Sequence, residues 1–200
     1  MMLIKTLTIF IFFSIALQFN CNAIDLDGDF SSRSLIFKEQ NKKTNYSEYA
    51  EILKSKKLTP TINCLVEQIK KNNIENIELL IKAGVDINSS YYTDYPIYIA
   101  AKENNFEVLK LLHQNKAKLD KGFYSELYEA TKNKNTQMAL YLIENGSNIN
   151  YIDIVTSNSI LYYAIKNNLE EVTKKLIEKK VNVDLKSLKL IKKKKLNFSK

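Results

Sequence analysis

Few side chains in this chain are equipped for covalent or acid–base chemistry. Its 200 residues include one histidine, His113, and two cysteines, Cys21 and Cys64. With Cys21 in the expected leader, one imidazole and one thiol remain, too few for the ligand set that holds zinc. The run Asp25-Leu26-Asp27-Gly28-Asp29 has the opening of a calcium loop. The spaced carboxylates and closing glutamate that such a loop needs do not follow it. Neither a Gly-x-Ser-x-Gly elbow nor a glycine-rich phosphate loop occurs. The residues therefore speak against an enzyme, a metal centre and a cofactor. His113 stands where two related segments carry Ile81 and Ile143, so it reads as a packed side chain.

What the side chains offer is recognition. Lys70, Lys102, Lys132 and Lys166 recur at one place in four segments that align without gaps. Aromatic residues gather in the connections between these segments: Tyr91, Tyr92 and Tyr95 with Asp94, then Phe123 and Tyr124, then Tyr151 with Asp153. Exposed tyrosine is a common interface anchor. Each group also has a reading that needs no partner. A lysine near a helix C-terminus is favoured by about 0.3–1 kcal/mol through the helix dipole alone. Some of the aromatics must pack beneath their own loops, and Tyr98, Tyr128 and Tyr162, which share one register position, are assigned to structure.

Four segments position these residues: Gln68 to Asn88, Ala100 to Asp120, Ala130 to Asn150 and Ala164 to Asp184, offset by 32, 30 and 34 residues. Leu80, Leu112, Leu142 and Leu176 coincide, as do the closing residues Asn88, Asp120, Asn150 and Asp184. Each segment reads as two short helices joined by an Asn-rich turn. Ala100, Ala130 and Ala164 let helices approach closely. Asn72, Asn104 and Asn168 suit a left-handed turn residue, whereas Lys134 predicts a strained or differently shaped third turn. Gly84 and Gly146 end second helices, and Lys116 and Lys180 predict weaker ends. A unit of this size cannot bury its apolar face alone and must stack on a neighbour.

The stretch DYPIYIAAKENNFEVLKLLHQNKAKLD, ending at Asp120, resembles the ankyrin repeat. Pro96 matches the proline of Thr-Pro-Leu-His, Tyr98 takes the histidine place, and Ala100 and Ala101 match the alanine pair. VDIN and SNIN resemble the closing Ala-Asp-Val-Asn. No segment has the family's Thr or His at those places. The resemblance covers about Thr59 to Asp184. It implies an all-α solenoid of about four stacked helix-turn-helix repeats with short projecting loops, and a non-catalytic function of binding another protein. It also implies that the connections form recognition fingers and that the lysine place faces a groove. On that basis Tyr91, Tyr92, Asp94, Tyr95, Lys102, Phe123, Tyr124, Lys132, Tyr151 and Lys166 are the candidate partner-binding residues.

The rest of the chain divides as follows. Residues 1–23 have a secretory pattern: Lys5, an apolar run from Leu7 to Leu17, and Cys21 and Ala23 as small residues before a cut. An uncleaved anchor and a lipid on Cys21 are the alternatives. Residues 24–46 read as a linker. Residues 47–58 read as a capping helix with Ser47 as N-cap and Tyr49, Ile52 and Leu53 at helical spacing. The repeats are expected at about 59–90, 91–121, 122–152 and 153–185.

Residues 186–200 are a basic tail. Leu185, just before it, with Leu188 and Ile191 suggests a short amphipathic capping helix with Leu190 alongside and Lys192 to Lys195 running free beyond it. The net charge is +8, but 7 of the 30 basic residues lie in the tail and 1 in the leader, leaving 22 against 22 acidic residues elsewhere. A neutral body argues against nucleic acid as partner. The tail suits an anionic membrane surface as a second class of partner. The leader predicts a secreted or periplasmic protein. Mass spectrometry of the mature chain is expected to find Ile24 at the N-terminus. An intact Met1 or a lipidated Cys21 contradicts cleavage after Ala23.

Overall fold

The computed structural model describes residues 46–194. The expected leader, the linker up to residue 45 and the tail beyond Lys194 lie outside the described residues. Among the described residues there are ten helices and no strand longer than an isolated bridge. This is the all-α repeat solenoid class expected from the sequence. The chain divides into two compact units between Asp86 and Ile87.

The first unit holds α1 (Tyr46–Ser55), α2 (Ile62–Lys70) and α3 (Ile74–Lys82). α2 and α3 pack as a hairpin, and α1 packs on α3. Leu53 is 2% exposed and belongs to the core, whereas Ile52 is 45% exposed. The two are adjacent on the helix, about 100° apart, so only one can face α3. Ser47 lies within the described helix and not at its N-cap. α1 ends like a second helix of the repeats. Lys57 is left-handed at φ 54°, and Leu58 N donates to Leu53 O at 2.8 Å. The expected cap is thus a half-repeat. Its Leu-x-x-x-Lys-Leu matches Leu176 to Val181, a likeness legible in the sequence.

The second unit holds three complete hairpins and a final helix. They are α4 (Pro96–Lys102) with α5 (Phe106–Gln114), α6 (Glu126–Lys132) with α7 (Thr136–Glu144), α8 (Ile160–Lys166) with α9 (Glu170–Glu178), and α10 (Leu185–Lys194). The first helices pack in the order α4, α6, α8, α10. Ala100, Ala130 and Ala164 are fully buried where these helices approach. Leu112, Leu142 and Leu176 are fully buried on the second helices.

Helix starts are chemically matched. Ser125 and Ser159 accept from the N–H of Tyr128 and Tyr162, taking the place of the missing threonine, while Pro96 opens α4 without a side-chain cap. Asn105 and Asn135 cap α5 and α7, and Leu169, which has no oxygen to offer, leaves α9 uncapped.

The left-handed turns are more uniform than expected. Asn72, Asn104, Lys134 and Asn168 have φ of 53°, 57°, 61° and 58°. In every case the next residue's N–H bonds back to the helix, as Asn135 N does to Ala130 O at 2.9 Å. Lys134 therefore does not reshape the third turn. The closing hydrogen bonds hold it in the left-handed basin whatever the side chain, and the cost is carried locally. The same holds at the ends of the second helices. Lys116 and Lys180 (φ 72° and 59°) close with bonds of 3.0 Å from Ala117 N to Leu112 O and from Val181 N to Leu176 O.

α10 occupies the place of a fifth first helix, but not on the expected face. Leu185 is 76% exposed and Leu188 is also exposed, while Ser187 is buried and Leu190 and Ile191 are half-buried. The helix is oriented by polar anchors. Asp184 accepts from Ser187 N, Lys186 N and the Ser159 hydroxyl. Lys194 does not run free: its ammonium donates to the Ile165 carbonyl at 2.6 Å and also bonds the Asn168 side chain. A cation is well placed there because the carbonyls at the C-terminal end of α8 have no partner within the helix.

A non-glycine residue in the left-handed region costs roughly 1–2 kcal/mol relative to the right-handed form. Lys116→Gly and Lys180→Gly are each expected to raise unfolding stability by about 1 kcal/mol in urea titration. Unchanged or lowered midpoints contradict this account of the helix ends.

Candidate functional site

The first connection is pinched by Tyr91 and Asp94, whose backbones exchange hydrogen bonds of 2.8 and 3.1 Å. The turn between them forces Tyr92 into a left-handed conformation (φ 55°) and leaves its side chain 87% exposed. Tyr91 meets the Tyr92 ring edge-on at 4.7 Å. Tyr95 is half-buried, with the Lys121 ammonium 4.8 Å from its ring centroid. A Cβ at Gly122 would come within 3.1 Å of the Tyr95 ring, so the second connection passes close over it.

In that second connection Phe123 is 81% exposed, while Tyr124 folds back and stacks on Tyr98 at 5.2 Å. The third connection differs from expectation. Tyr151 is half-buried against Tyr128, ring centroids 5.5 Å apart. Asp153 is buried, because its carboxylate accepts from the N–H and hydroxyl of Thr156, both at 2.7 Å. The residues that project are Ile154 (78% exposed) and Val155 (83% exposed). Tyr92, Phe123, Ile154 and Leu185 thus form a series of exposed apolar side chains at intervals of 31 residues. The Lys186 ammonium bonds Thr156 O at 2.8 Å, which places the start of α10 beside the third finger.

Behind the tips lies a floor of tyrosines. Tyr98 and Tyr128 are buried, and Tyr162 and Tyr163 are half-buried with their rings edge-to-face. Tyr128 also meets Tyr163 edge-on at 5.2 Å. Lys102, Lys132 and Lys166 are exposed at the ends of their helices. Each ammonium lies over the tyrosine one turn earlier, at 6.0 Å from Tyr98, 5.8 Å from Tyr128 and 5.7 Å from Tyr162. This is within cation–π reach. Lys132 also pairs with Glu129 at 3.4 Å. Lys70, the fourth member of the series, ends α2 in the first unit and is exposed.

Ile154, Val155 and Leu185 are exposed apolar side chains outside the aromatic pattern by which the sequence marks the fingers. The 31-residue interval was available as a signal. The Tyr-x-x-x-Lys spacing, which puts tyrosine and lysine on one helical face, was available too. Burial pushes the Tyr98 hydroxyl well above the ordinary tyrosine range, reinforced by the charges of Glu129 and Asp94. Burial does the same for Tyr128. Hydrogen bonding from Thr156 holds the Asp153 carboxyl below its ordinary value. Tyr98 and Tyr128 are therefore neutral. No group of three His, Cys, Asp or Glu side chains suited to a metal ion exists among the described residues.

Comparison with known proteins agrees with this geometry. Residues 65–153 match the family model for ankyrin repeats, three copies. Over 89 residues, 42% of this chain and 13% of the relative, the chain is 29% identical to BRCA1-associated RING domain protein 1 of Caenorhabditis elegans. Over 112 residues, 55% of this chain and 16% of the relative, it is 27% identical to an ankyrin repeat protein of fowlpox virus (strain NVSL). The chain thus spans less than a fifth of the length of these curated relatives.

One polar cluster beside the face is sensitive to protons. Glu126, at the start of α6, is 1% exposed and accepts from Asp120 N at 3.1 Å. Asp120 accepts from Asn148 N at 2.7 Å through one oxygen, and its other oxygen is buried without a partner. Burial, with the neighbouring Asp120 charge adding to it, pushes Glu126 up to about 7. A carboxyl raised in the folded state binds its proton more tightly there than in the unfolded chain. Stability is then full below the ordinary glutamate value and falls as pH rises through about 7, by about 3 kcal/mol in all. Glu126→Gln is expected to melt higher than wild type at pH 8 and to lose that advantage at pH 4.5. A pH-independent difference contradicts a protonated Glu126.

Proposed function

We propose, for a chain that belongs to the ankyrin-repeat family, that the finger tips and the tyrosine–lysine face of the second unit form its protein-binding site. Ankyrin repeats are protein–protein interaction modules, and the family is in general non-enzymatic. The observation that carries the finer reading is the 31-residue series of exposed apolar tips, Tyr92, Phe123, Ile154 and Leu185. Side chains this large and this exposed gain most from burial by a partner, about 25 cal/mol for each Å² removed from water. Their rigid backing supplies the other requirement, since a preorganised face loses little entropy on binding.

The secretory pattern of residues 1–23 supports export of this module, with action in a bacterial envelope or as an effector towards a host cell. A second reading, attachment to an anionic membrane, draws on α10, which exposes Leu185 and Leu188 beside Lys189, Lys192 and Lys193. No helix among the described residues is long and apolar enough to cross a membrane.

Affinity capture from envelope and host extracts tests the finger reading. Tyr92→Ser, Phe123→Ser and Ile154→Ser combined are expected to lose the protein captured by wild type while melting at the same temperature. His113→Gln, on a second helix, is expected to retain it. Equal capture by the triple variant overturns the reading, and binding to anionic vesicles alone favours the membrane.

A further inference from the structure

The face is chemically asymmetric across its width. One margin carries the apolar tips. The other carries Lys102, Lys132 and Lys166, each at the far end of a helix that starts at a finger. These helices are seven residues long, so the lysines stand about 10 Å from the bases of the fingers. The carboxylates near the face are turned inward. Glu126, Glu129 and Asp153 are buried, and Lys132 already pairs with Glu129. At the helix ends themselves the exposed charge is Lys102, Lys132 and Lys166 with Glu103 beside Lys102, while Glu107, Glu170 and Glu171 are exposed on the second helices that follow.

We infer that this face takes an acidic, amphipathic α-helix laid across the repeats, its apolar stripe on the tips and its carboxylates on the lysine ladder. Packed helices stand about 8–10 Å apart, so tips and lysines both recur at about that interval along the face. Residues seven apart in an α-helix lie about 10.5 Å apart on one side, which matches. A strand repeats each side about every 6.7 Å and loses step by the second finger. A helix is also about 10 Å wide, close to the length of the seven-residue helices it would cross. Between them the partly exposed rings of Tyr124, Tyr162 and Tyr163 are available to its underside, with Tyr98 and Tyr128 buried beneath.

The inference rests on the face being a protein-binding site, and the test separates the two. Four probes are titrated against the full chain: an acidic helical peptide with leucine every seventh residue, the same peptide with lysine for glutamate, a proline-broken acidic version, and phosphatidylglycerol vesicles. The acidic helix is expected to bind at least about tenfold more tightly than the basic or broken peptide, and more weakly as salt rises. Replacing Lys102, Lys132 and Lys166 together by Gln is expected to weaken it about tenfold, as three surface charge pairs would. Replacing them by Arg is expected to leave it bound.

Equal affinity for the basic or broken peptide, an unaffected Gln variant, or preference for vesicles overturns the inference. If no acidic helix binds but the finger variants still lose their captured protein, the inference falls and the interaction reading stands. If capture is unaffected as well, both fall.

Discussion

The second unit depends on one recurring bond, in which a side-chain oxygen closing one repeat accepts from the main chain of the next. Asn88 accepts from Lys118 N at 2.9 Å, Asp120 from Asn148 N at 2.7 Å and Asn150 from Asn182 N at 2.8 Å. Apolar packing between helices is non-directional and sets no register by itself. These bonds do, because an amide or carboxylate oxygen meets one N–H at one distance and angle. A second set pins the opposite ends. The Asn167 amide donates to Thr131 O at 2.8 Å, the Asn133 amide donates more weakly to Ala101 O at 3.4 Å, and Lys194 takes the same place on α8. Each repeat is thus tied at both ends to its neighbour. The fingers and the lysines inherit their spacing from those ties.

This explains why the closing residues Asn88, Asp120, Asn150 and Asp184 stood out in the sequence before their purpose was visible. The alignment located them, but a hydrogen bond about 30 residues long in sequence leaves no local trace. At Asp184 the same position meets the start of α10. Burial would raise the Asp184 carboxyl, but the hydroxyls of Ser159 and Ser187 and two N–H groups outweigh this and hold it below its ordinary value. The oxygen that joins repeats elsewhere here starts and anchors α10.

Fold class was legible because local and global signals agreed: helical periodicity, small residues at close approaches and turn residues in register. Legibility failed where backbone bonding overrode side-chain preference, as at Lys134. It failed again where an aromatic could pack as well as project. Tyr151 and Tyr124 are tyrosines in finger loops, yet both lie on the floor, since a buried Tyr on that floor offers them a ring to pack against. Asp153 turned inward because Thr156, three residues on, offered it two donors. The lysine ladder was found by position alone. Its cation–π partners follow from the four-residue Tyr-x-x-x-Lys spacing that the repeats share.

The central claim is that one face, formed by the finger tips, the tyrosine floor and the ladder, receives the partner. Amide chemical-shift mapping during titration with a bound partner or peptide tests it most directly. The account predicts shifts concentrated at Tyr91–Tyr95, Lys121–Tyr124, residues 152–158 and the helix ends around Lys102, Lys132 and Lys166. Shifts centred instead on the second helices, around Phe106, His113 and Tyr141, would contradict it.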